Sequence, residues 1–91
     1  MTVERRKSQR KVIDEECIIF IRGSSIKARL YDVSGVGVSF IVDDKHIFEE
    51  AMINEDWISF QNQTYSGVVK VVRVDTFNSL GKAVIGCERR C

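Results

Sequence analysis

At 91 residues the chain is the size of one small domain with one modest core, and a second domain does not fit. Apolar residues make up 44% and charged residues 30%, which excludes a disordered chain that lacks apolar side chains to bury. The longest apolar run, Cys17 to Ile21, falls far short of the roughly 20 residues that cross a bilayer, and nothing reads as a signal peptide. A cytoplasmic protein without membrane insertion is the expectation. The formal net charge of +1 makes no global field for a nucleic-acid polymer. Locally, however, Arg5, Arg6, Lys7, Arg10 and Lys11 concentrate positive charge in one short stretch.

Residues 1–11 hold no apolar pattern beyond Val3 and read as a flexible basic arm, with residues 12–91 forming a single domain. Cys17 to Arg22, rich in isoleucine, predicts a strand buried on both faces, turned by Gly23, Ser24 and Ser25. Ile26, Ala28 and Leu30 alternate with Lys27, Arg29 and Tyr31, the period of a half-buried second strand. Asp32 to Gly37 punctuates, and Val38 to Val42 makes a third strand that Asp43 and Asp44 stop. Between residues 45 and 55, Ile47, Phe48, Ala51 and Met52 recur at spacings of three and four, which suggests at most a short helical turn or two. Trp57 to Gln61, Thr64 to Val74 and Leu80 to Cys87 supply three more strands. The fold class is therefore all-β, and six short antiparallel strands are expected to hide their edges by closing into a barrel.

Two short motifs stand out. The arm reads Arg6-Lys7-Ser8-Gln9-Arg10, and the junction between the second and third strands reads Asp32-Val33-Ser34-Gly35-Val36-Gly37. Each alone is ordinary, a charged terminus and a turn. Both in this order arise by coincidence in about 1% of chains of this length at average residue usage, so chance is the poorer explanation. Together, inside a six-strand pattern, they resemble the R-x-x-x-R and (D/N)-x-S-x-x-G hallmarks of the PilZ family. Val84-Ile85-Gly86-Cys87 is similar to that family's last strand, although Glu88, Arg89 and Arg90 follow where an aromatic residue is frequent.

The resemblance implies a Greek-key barrel that binds the second messenger cyclic di-GMP without chemistry or cofactor. In that setting Arg6 and Arg10, with Arg5 beside them, would hold guanine and phosphate groups, because a guanidinium pairs bidentately with guanine O6 and N7, bridges phosphate, or stacks on a purine. Arg5 could also stack on a second ligand. Asp32 would accept from the guanine N1 and N2 donors, Ser34 would add a hydrogen bond, and Gly35 and Gly37 would give backbone room. The partners so implied are the ligand and a downstream protein, and a homodimer stays open. Two other readings remain: a barrel that docks proteins without ligand, and a barrel that binds single-stranded nucleic acid, which needs aromatics interleaved with lysines on a strand face.

Elsewhere the residues read as structural. His46 is a lone exposed histidine, no metal-ligand spacing is present, and no base accompanies Ser34, so catalysis is not expected. Cys17, Cys87 and Cys91 are too few for a disulfide framework and read as reduced thiols. Phe20, Trp57 and Phe60 are expected in the core.

Overall fold

Strands in this chain are built on two-residue alternation, and closing them into a ring puts every second side chain inside. The computed structural model describes residues 11–76 and 82–89. Its elements are β1 (Lys11–Ile21), β2 (Ser24–Val33), β3 (Gly37–Val42), α1 (His46–Ile53), β4 (Trp57–Gln61), β5 (Ser66–Thr76) and β6 (Ala83–Arg89). All strand pairs are antiparallel, and the sheet closes in the order β1-β2-β3-β6-β5-β4. Because β4 lies beside β1 while β1, β2 and β3 follow one another, the first four strands form a Greek key, as the sequence leads one to expect. No helix among the described residues is long and apolar enough to cross a membrane.

The core is the sum of the inward positions. Ile19, Leu30, Phe40, Phe60, Val69 and Ile85 are essentially inaccessible, and the rings of Phe40 and Phe60 meet edge to face at 5.2 Å, a favoured aromatic geometry. In β1 the expectation of burial on both faces is wrong. Cys17, Ile19 and Ile21 are buried, whereas Ile18 is half-buried and Phe20 is 44% exposed. Trp57, also expected inside, is 49% exposed, because Ile58 and Phe60 take the inward positions of β4 and strand parity leaves Trp57 outside. Its outer ring face lies 6.0 Å from the Lys70 ammonium. Phe60 is buried as expected.

The connections follow local chemistry. β1 turns into β2 at Arg22 and Gly23, both with positive φ (51° and 80°), the signature of a two-residue type I′ hairpin. Ser24 and Ser25 therefore belong to β2 rather than to the turn. Arg22 ties this tip to the helix end through Glu50 and Asp56, each at 3.3 Å. Helix α1 spans two turns where the spacing of apolar residues predicts them, and it buries Phe48 and Ala51. Asp44 accepts the His46 N–H at 3.0 Å at its start. At its end Asp56 donates to the Ala51 carbonyl at 2.9 Å and Glu55 to that of Met52 at 3.2 Å. With Glu55 at φ 57° this is a Schellman turn. His46 is exposed and pairs with Glu49 at 3.3 Å.

Two measurements check this core. Phe40→Ala should lower unfolding free energy in urea by about 3–5 kcal/mol, the range for deleting a buried ring, a large part of the ~5–15 kcal/mol that such a domain has. Burial pushes the thiols of Cys17 and Cys87 up from 9.0 to about 11 and about 12. A raised folded pKa lends stability that is complete below the unfolded value of 9.0 and is lost as pH climbs through 11 and 12. The doubly substituted Cys17→Val, Cys87→Val chain should accordingly lose less stability than wild type between pH 9 and 11.

Candidate functional site

Among the described residues, regular antiparallel pairing fails at three places, and all three lie along one row across the barrel. The register shifts between Val12 and Glu15 on β1, between Leu30 and Asp32 on β2, and between Val71 and Arg73 on β5. Beyond the shifts the pairings run Val12↔Asp32, Asp32↔Ser39, Ser39↔Gly86 and Gly86↔Arg73. Each shift inserts one residue, so two neighbours on the bulged strand oppose one residue on the partner and face the same way. On β2 these are Tyr31 and Asp32, and on β5 Val72 and Arg73. Ser39 points outward because Val38 and Phe40 on either side of it are core residues, so the row lies on the outer face. Bulges recur beside functional sites because they re-aim side chains.

Asp32 and Ser39 are the buried polar residues among those described, at 7% and 4% exposure. They face each other across β2 and β3. A recessed carboxylate is costly unless hydrogen-bonded, and no buried polar side-chain atom among the described residues lacks a partner.

The loop after Asp32 is held by Ser34. Its Oγ accepts from the backbone N–H of Val36 at 3.3 Å and of Gly37 at 3.2 Å, and its hydroxyl donates to the Gly37 carbonyl over a long 3.4 Å. The Ser34 N–H also donates to that carbonyl, at 2.8 Å. Ser34 is thus a turn-building serine first. Gly37 is a glycine because a Cβ there would overlap the Cys87 carbonyl of β6. Its room is used by the neighbouring strand. Gly35 is exposed at the tip of the loop. Arg89 clamps the loop from the end of β6: its backbone N–H reaches the Val36 carbonyl at 2.9 Å and its Nε the Ser34 carbonyl at 3.4 Å.

Asp32, Ser34, Gly35 and Gly37 are therefore brought together at one end of β2. Arg5, Arg6 and Arg10 lie outside the described residues. Ser39, Arg73 and Arg89 escaped the sequence reading. The doubled valines before Arg73, which break the alternation of β5, were the available signal. A surface groove of about 630 Å³ lies elsewhere. It is lined by Glu15, Glu16 and Asp43 against Lys27, Arg29 and Lys82, a balance of charge with no preference for an anion, and Asp32, Ser34, Gly35 and Gly37 are not among its described lining residues. Comparison with models of known families and with curated proteins finds no match.

The roles given to Ser34 and Gly37 lead to a stability test. Gly37→Ala should cost about 1–3 kcal/mol, as overpacking against backbone does, and Ser34→Ala about 1 kcal/mol for the lost turn bonds. Urea midpoints for the two variants measure both.

Proposed function

We propose that the chain is a PilZ-type receptor for cyclic di-GMP that performs no chemistry on it. The observation that carries this reading is the placement of Asp32, recessed beside Ser39 on the outer face of a closed six-stranded barrel, at the head of a loop spelled D-x-S-x-x-G. A buried carboxylate at a row of bulges suits edge-on reading of guanine, whose N1 and N2 are both donors. Arg6 and Arg10 supply the guanidinium groups that such a ligand needs for guanine and phosphate, with Arg5 next to them. Ser34 can turn its long 3.4 Å bond outward to the ligand without giving up the two bonds it accepts. On this reading the protein works in the cytoplasm, and ordering of residues 1–11 against the barrel by the bound phosphates makes the surface that a downstream protein recognises.

Binding of single-stranded nucleic acid is the second reading, and one observation favours it. Phe20 and Trp57, expected inside, stand exposed on the outer face of β1 and β4, with Lys70 beside Trp57. That is one aromatic–lysine pair, short of the repeated platform such binding uses.

Calorimetric titration separates the two. Cyclic di-GMP should give saturable heat at moderate salt, while GMP and a short single-stranded oligonucleotide should not. Arg6→Ala, Arg10→Ala and Asp32→Ala should each weaken binding by about 2 kcal/mol or more, the loss expected for a charge-assisted partner, and Lys7→Ala by far less. Cyclic di-AMP, which offers an amino donor where guanine has O6, should bind at least about a thousandfold more weakly. Equal curves for the two dinucleotides, or saturable heat only with the oligonucleotide, would rule out this function.

A further inference from the structure

We propose that Arg73, on β5, is a further ligand-binding arginine that closes the far side of the guanine site; the inference rests on the receptor reading above. Neither hallmark motif contains this residue. Its placement follows from three features of the outer row. The β5 bulge turns Arg73 outward beside Val72, where regular alternation would allow one of them only. The residue opposite is Gly86, and the guanidinium lies across it: a Cβ at Gly86 would sit 3.2 Å from Arg73 Nη2 and 3.3 Å from Cζ. The side chain therefore points along the row towards Ser39 and Asp32 over a strand position with no side chain of its own.

The spacing suits a purine. Gly86 and Asp32 are separated by two strand steps, with Ser39 between them, which is about 9.5 Å. A purine with a hydrogen bond of about 2.9 Å at each edge has roughly this width. With its N1 and N2 edge on Asp32, the base turns O6 and N7 away from β2, towards the guanidinium, whose planar fork matches those two acceptors.

Arg73 is held by Asp75, Nε to Oδ2 at 2.7 Å, both side chains more than half exposed. That pair competes with the ligand for the guanidinium, and Asp75 repels its phosphates. Removing Asp75 should improve binding, an effect that a purely structural role for Arg73 does not produce.

The test is calorimetric titration of the full chain with cyclic di-GMP, wild type first. Arg73→Ala should weaken binding at least about tenfold, and Arg73→Lys nearly as much, since an ammonium lacks the fork. Gly86→Ala keeps the charge but puts a methyl group where the guanidinium lies, so it should also weaken binding, with thermal unfolding reported alongside to show an intact fold. Asp75→Asn should tighten binding by up to about fivefold, the scale of an exposed ion pair. Lys27→Ala, which removes a cation away from the row, should stay within about twofold of wild type. A wild-type chain that gives no saturable heat overturns the receptor reading and this inference with it. A wild-type chain that binds, with Arg73→Ala within about twofold of it or Lys27→Ala equally weakened, overturns the role of Arg73 alone.

Discussion

Everything in this protein depends on closing six strands around a core too small to allow slack. The inward positions are filled by Phe40, Phe60, Leu30, Ile19 and Ile85, and a ring of strands this tight must bend sharply. Regular pairing cannot supply that bend throughout, so the sheet takes up extra residues on β1, β2 and β5, where bulges raise the local twist. The bulge on β1 is held by Arg29, whose Nε donates to Asp14 Oδ1 at 2.6 Å and whose Nη2 donates to the Asp14 carbonyl at 3.0 Å. The same pair raises the pKa of Arg29, through the hydrogen bond first and the charge of Asp14 second. Closure and site are thus one phenomenon: the irregularity that lets the barrel close also turns Asp32 and Arg73 out onto a common row.

How much of this was legible in the sequence varies with the kind of signal. β4 reads to the residue at both ends because Trp57 and Gln61 bound an alternating run between turn residues. α1 was visible from four apolar residues on one face. β1, by contrast, begins at Lys11, six residues before its apolar run, because Asp14, Glu15 and Glu16 are exposed and give no hydrophobic pattern to read. Parity explains the errors at Phe20 and Trp57: aromatic character suggested the core, but register assigned the inside to their neighbours. The bulges left little more than the doubled valines before Arg73 as a trace, for a related reason. Alternation counts one residue per partner, and an inserted residue at Tyr31 or Val72 breaks that count without changing composition.

The candidate site was legible as a loop motif but not as an arrangement. Asp32 and Ser34 follow from the spelling of the loop. That Asp32 is recessed beside Ser39 depends on the bulged register of β2 against β3, and that Gly37 serves the approach of β6 depends on its pairing with Glu88 at the far end of the chain, neither of which a local pattern encodes. Arg89 is the clearest instance. In sequence it stood where an aromatic residue was anticipated, and in the fold it holds the carbonyls of Ser34 and Val36.

The Greek-key order also divides the chain in a way that has mechanical meaning. β1, β2 and β3 form one continuous meander and β4, β5 and β6 a second, and the backbone passes between them once, through α1. The barrel is in effect two associating subunits carried on one chain, with two seams for an interface. These seams are unequal. β3 and β6 are registered along the whole of Gly37 to Val42, whereas β1 and β4 are registered only from Ile18 to Phe20. A load that parts the halves would therefore unzip the short seam first and leave the long one as a hinge. The motif loop and Arg89, which join the halves beside that hinge, would separate last.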